Sequence, residues 1–221
     1  MWRPKDMIAT RHRAPRESAS WTWDMGDVEP PGLKSALAVA ARMSQVLRKH
    51  GLLLPPLGLE WDWFVYGRGG MGITTRLSSL RSLDDPELPA HILAARPVDF
   101  PDAQVGSILV VGTGTWIDAT GDRHQEHRLV ELTVAPDAPG IWAELAVFHD
   151  IWGPFDFRGL PHPDVEKQNA PRLAAALQSL DALLGVAAEP GDPTYFGSAE
   201  GHGIKPPEVI DGRGPDLTDL L

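Results

Sequence analysis

The sequence predicts an α+β fold: an antiparallel sheet of about five or six strands with two main helices packed on one face. Two segments carry leucines and alanines at helical spacing, and several others alternate apolar with polar residues. The alternating segments are separated by short turns of Gly, Pro and Asp, too short for the crossovers that parallel strands need.

A length of 221 residues favours one main domain with enough chain to bury a sizeable core. The 22 Gly and 21 Pro imply many turns, and the lack of cysteine excludes disulfides and thiol chemistry. That cysteine usage fits a reducing, cytoplasmic setting. Charge is uneven. Residues 1–20 hold Arg3, Lys5, Arg11, Arg13 and Arg16 against Asp6 and Glu17, while the whole chain is −10, so residues 21–221 carry −13. So acidic a domain repels phosphate backbones and suits a basic protein partner, not nucleic acid. No apolar run approaches membrane-spanning length, and the start lacks the apolar core of a signal peptide.

Residues 1–20 read as a disordered basic tail, residues 21–186 as the α+β domain and residues 187–221 as a turn-rich C-terminal tail. Trp21 and Trp23 share one side of a short strand. Leu33 to His50 is the first helix, with Leu33, Leu37, Ala40 and Leu47 on one stripe, Arg48 to His50 at the negative end of its dipole and Gly51 as its stop. LLLPPLG is a connection. From Leu57 to Tyr66 a strand puts Leu59, Trp61, Trp63 and Val65 on one face and Glu60, Asp62, Phe64 and Tyr66 on the other. Gly67 to Gly72 is a turn into a second hairpin strand or short helix, and HILAA is a strand or helical turn. Val105 to Asp118 is a central strand whose glycines mark bulges, and His127 to Val134 pairs back on it. In IWAELAVFHDIW the apolar parity runs through Ile141, Ala143, Leu145, Val147, His149 and Ile151. Leu173, Leu177, Leu180 and Leu184 then form the stripe of the last helix, with Asn169 as N-cap, Pro171 in its first turn and Gly185 as its stop.

Four features bear on chemistry. Gly67, Gly69 and Gly72 match the dinucleotide pattern G-x-G-x-x-G, but that fingerprint needs a helix at the third glycine, and ITTRLSSLRS has no apolar stripe. His124 and His127 beside Asp122 and Glu126 are too few and too strand-like for a metal site. His149, Asp150, Asp156, His162 and Asp164 gather before the last helix, where an acid–base pair would be sought, though no Ser or Cys nucleophile accompanies them. Finally, the chain has eight tryptophans. They either complete the core under the helices or, with acids around them, form a recognition surface. The second reading selects Trp61, Trp63, Trp116, Trp142, Trp152, Asp150 and Asp156 as binding residues.

From His149 to Gly197, HDIWGPFDFRGLPHPDVEKQNAPRLAAALQSLDALLG and then GDPTYFG resemble a group of uncharacterised bacterial proteins in which a Trp-Pro-Asp-Gly turn precedes an Asn-Ala-Pro-Arg-Leu helix. Some small acidic α+β proteins of this sort are regarded as immunity proteins of polymorphic toxin systems. The resemblance covers the C-terminal third and carries no catalytic residue with it. It implies a non-catalytic protein that binds another protein, such as a toxin domain, without cofactor or metal. The competing expectation is a small hydrolase-like or nucleotide-binding enzyme using His149, Asp150 and His162 or the Gly67–Gly72 loop.

Overall fold

In the second strand Leu59, Trp61, Trp63 and Val65 are buried, while Glu60, Asp62 and Phe64 between them are only half-buried. This alternation sets the face of the sheet that meets the helices. The computed structural model describes residues 13–80, 82–136 and 140–221. Their elements are β1 (Ala19–Asp24), α1 (Leu33–Lys49), β2 (Leu54–Val65), β3 (Gly69–Leu80), α2 (Leu88–Ala94), β4 (Gln104–Ile117), β5 (Arg123–His127), β6 (Val130–Ala135), β7 (Trp142–Val147), α3 (Pro163–Leu184), β8 (Glu189–Pro190), β9 (Ala199–Glu200) and β10 (Gly203–Ile204).

The main sheet has eight strands in the order β3-β2-β4-β6-β7-β1-β8, with β5 also on β4, and every pairing is antiparallel. The fold is therefore α+β with a large antiparallel sheet. The expected five or six strands fall short because β5 is polar and β8 holds two residues of a proline-containing stretch, so neither shows an apolar alternation. A third, short helix, α2, stands where HILAA left strand or helix open, and it buries Leu88 and Ile92.

The inward rows of β1, β2, β4, β6 and β7 form one buried cluster with Val39, Met43 and Leu47 of α1 and Leu173, Leu177 and Leu180 of α3. Burying side chains of this size contributes about 1.5–3 kcal/mol each. Of the glycines of β4, Gly106 marks a bulge. Two residues of β4, Gly106 and Ser107, stand opposite Asp62 of β2. The Asp62 carboxylate fills that bulge by accepting the Ser107 N–H at 2.7 Å. Further along the same β2–β4 ladder, Pro55 and Pro56 loop out where the register skips between Leu54 and Gly58, so LLLPPLG is partly strand.

Two boundaries differ from the sequence reading. The last helix starts at Pro163, not after Asn169, and Pro171 lies inside it. Asn169 is wholly buried, and its side chain bonds to Ile117 of β4 instead of capping a helix. Arg172, one turn on, donates to Thr115 O and His50 O, tying α3 to β4 and to the end of α1. The second difference concerns the tails. Residues 1–12 lie outside the described residues, but residues 13–20 belong to the packed domain: Ala14 is buried and β1 begins at Ala19. Residues 187–221 also pack on the domain, through β8 against β1 and through Phe196 and Ala199, which are buried.

β1 and β7 run so close beyond their paired ends that a Cβ on Gly140 would lie 2.1 Å from Gly26 Cα. Gly140→Ala must force the two backbones apart. It is expected to cost about 2 kcal/mol and to lower the melting temperature by several degrees in a thermal scan; an unchanged melting temperature would show that this crossing is slack.

Candidate functional site

β7 ends at Val147, and the chain turns through a single 3-10 turn at Asp150–Trp152. The inward parity continues through it, since His149 and Ile151 are buried, but Asp150 and Trp152 are buried as well because the backbone is no longer extended. Asp156 then fastens a tight turn. Its carboxylate accepts the N–H groups of Arg158 and Leu160, both at 2.9 Å, and the Arg158 guanidinium at 2.7 and 3.0 Å. Gly159 closes this turn at a φ of 72°. His162 Nε2 hydrogen-bonds Gly153 O at 2.8 Å at the threshold of α3.

The C-terminal segment wraps this turn. Thr194 Oγ1 donates to Glu17 O, Gly214 N to Gly159 O and Leu217 N to Phe157 O. Phe157 and Phe196 meet edge to face with centroids 5.6 Å apart. Between segment and turn lies a cavity of about 330 Å3. Phe157, Phe196 and Asp150 line it deeply, while exposed Tyr195, Lys205 and Glu208 stand at its rim. Apolar lining with a few placed polar groups is the usual character of a binding pocket.

Asp150 is 6% exposed. Burial pushes its carboxyl above the ordinary carboxylate range, and Asp156 adds to this; the Phe157 N–H on its Oδ2 and the charge of His162 oppose the rise. A group whose folded pKa is raised contributes stability below its unfolded value, near 4, and loses it as pH rises through the folded value. An asparagine in place of this acid would copy the neutral form and still accept the Phe157 N–H. Asp150→Asn is therefore expected to match the parent in thermal unfolding at pH 4 and to exceed it at pH 8, with Asp156, His162, Lys205 and Glu208 common to both. A variant that is the less stable of the two at pH 8 would contradict this.

The proposed tryptophan surface is corrected by burial. Trp61, Trp63, Trp116 and Trp152 are at most 4% exposed. The strand parity that places Leu59 and Val65 inward also places Trp61 and Trp63 inward, and the Trp63 indole donates to Thr75 Oγ1 at 2.9 Å. Trp116 stacks on His124 at 4.6 Å. Trp142 alone of the five is half-buried, on the sheet face opposite the helices. Of the binding residues chosen from the sequence, the structure brings only Asp150 and Asp156 to the cavity, and His149 of the competing enzyme reading lines it beside them. Tyr195, Phe157 and Phe196 were not foreseen there; the aromatic pair in PTYFG was the signal available.

The other candidates resolve as structure. Gly67–Gly72 joins β2 to β3 as an antiparallel hairpin, with a strand where the dinucleotide fold has a helix. His124 hydrogen-bonds Asp118 at 2.7 Å, and this bond together with one from Thr120 holds the Asp118 carboxyl below its ordinary range. His127 lies three residues along the same strand and pairs with Thr113, on the opposite parity. Among the described residues no group of three or more His, Asp or Glu is placed to hold a metal ion, and no helix is long and apolar enough to cross a membrane. The open sheet face carries a chain of ion pairs, Arg76–Glu60–Arg128–Glu131–Arg13, in which each carboxylate is shared between two guanidinium groups. No family model, curated protein or solved structure matches the chain.

Proposed function

We propose that this is a non-catalytic binding protein whose partner is another protein, in the manner of an immunity protein that occludes a toxin. The observation that carries the reading is the exposed apolar surface of the C-terminal segment around the cavity. Tyr195 is 82% exposed, and Leu160, Val209 and Ile210 are exposed on the same segment and the turn it covers. Exposed tyrosine and aliphatic side chains beside a recess have the composition of an interface, where aromatic anchors supply most of the affinity. The net charge of −10 adds preference for a basic partner.

The enzyme reading has weaker support. Asp156 is bound to Arg158 and His162 to a backbone carbonyl, so both groups already hold the turn together.

The test is coexpression with toxins encoded beside the gene, read as restored growth and as a complex that co-elutes. Tyr195→Ala is expected to weaken such a complex by at least about tenfold with its melting temperature unchanged. Absence of protection and of any complex across every neighbouring candidate would defeat the proposal.

A further inference from the structure

The geometry points to a more specific role for the cavity: it receives one cationic side chain, arginine or lysine, from the docking partner, with the Asp150 carboxylate as counter-charge. This rests on the reading of the surrounding surface as a protein contact.

The cavity volume of about 330 Å3 lies at the small end of ligand sites, which run from roughly 300 to 1,000 Å3. It suits one long side chain better than a nucleotide. Phe157 and Phe196 offer ring faces and edges to an alkyl stem and to a flat guanidinium. Asp150 is buried, yet among the described residues no Arg, Lys or His nitrogen lies within ion-pair distance of it. Arg158, the guanidinium of the same turn, is held by Asp156 instead. The Phe157 N–H reaches Oδ2 at 3.2 Å and Asp150's own N–H also bears on the carboxylate, whereas a carboxylate has room for about four acceptor contacts.

A buried carboxylate without a counter-ion costs stability that a hydrophobic residue would not. A cation arriving from outside recovers that cost at the contact, and its guanidinium or ammonium can fill the remaining acceptor sites. At the rim Lys205 and Glu208 carry opposite charges and offset one another, so the charge at the bottom of the cavity decides what enters. The same carboxylate that lowers the stability of the free protein thereby gives the contact its selectivity for a basic partner.

The probe is n-butylguanidinium, titrated into the full chain and followed by NMR shifts of residues lining the cavity, with N-butylurea as the uncharged isostere. Saturable binding of the cation in the roughly millimolar range expected of so small a ligand, at least tenfold tighter than that of the urea, is the expected result. Asp150→Asn should abolish the preference, and Lys205→Gln, which removes a repelling charge without touching the turn, should tighten cation binding about twofold. Equal binding of cation and urea, an unchanged affinity in Asp150→Asn, or no saturable binding by the parent protein overturns the inference, and Lys205→Gln keeps it open to refutation should Asp150→Asn fold poorly. Once a partner is in hand the two readings separate. A partner complex that forms undiminished with Asp150→Asn and is not competed by n-butylguanidinium defeats the cation site and leaves the protein-binding function standing. Cation binding as described, with no complex from any neighbouring toxin, upholds the site and defeats that function.

Discussion

Asn169→Ala is expected to lower the unfolding free energy by about 4 kcal/mol, the largest effect of any single polar substitution considered. The Asn169 side chain accepts the Ile117 N–H at 2.9 Å and donates to Ile117 O at 2.7 Å and to Val165 O at 2.8 Å. It is therefore a side-chain amide paired with a backbone amide, joining the middle of α3 to the end of β4. Truncation leaves the Ile117 donor and acceptor unpaired beside a helix, at about 1–3 kcal/mol for each group, and adds a small void where Asn169 was fully enclosed. For a chain of this size the melting temperature should fall by roughly 10 °C. Asn169→Leu, close in volume, fills the void but leaves both Ile117 groups unpaired, so it should restore little of this. A loss below about 1 kcal/mol in denaturant unfolding would mean that water replaces the amide without cost.

Asn169 also shows where the sequence misleads. Asn followed two residues later by Pro is a good local signal for a helix start, and by that logic α3 would begin near Asn169. The helix instead accommodates Pro171 at the cost of one backbone bond, while Asn169 and Arg172 on either side make tertiary bonds that no local pattern encodes. Periodicity was reliable where burial is one-sided. The inward row of β7, the extent of α1 and the hairpin at Gly67–Gly72 were all legible for that reason. For the tryptophans the pattern gave the right rows but not the side that is covered; the charged neighbours Glu60 and Asp62 were the better guide to the inward side of Trp61 and Trp63. The cavity was least legible of all. Its outer wall is a Gly- and Pro-rich segment without any period, held by single bonds between residues far apart in sequence, such as Thr194 to Glu17 and Leu217 to Phe157.

Asp181 is the strongest of those distant ties, and Asp181→Ala is expected to cost about 3 kcal/mol while loosening the segment that walls the cavity. Its Oδ1 accepts the Trp23 indole N–H at 2.7 Å and the Ala188 N–H at 3.0 Å, and its Oδ2 bonds His202 Nε2 at 2.7 Å. Trp23 has no exposed surface, so the substitution strands an indole N–H in the core at about 1–3 kcal/mol and removes bonds to a charged acceptor worth more than neutral ones. Ala188 and His202 bracket β8, β9 and the stretch carrying Tyr195 and Phe196. Releasing both should raise amide hydrogen exchange across residues 187–204 well before exchange rises in β2 or β4, because local opening of a strap held at few points needs less free energy than global unfolding. A lowered melting temperature with exchange in residues 187–204 unchanged would place the anchor elsewhere, at Thr194 or Leu217. The expected pattern, in contrast, makes the cavity a property of a clasp fixed from the C-terminal end of α3, so that n-butylguanidinium binding should weaken in Asp181→Ala although no atom of Asp181 lines the cavity.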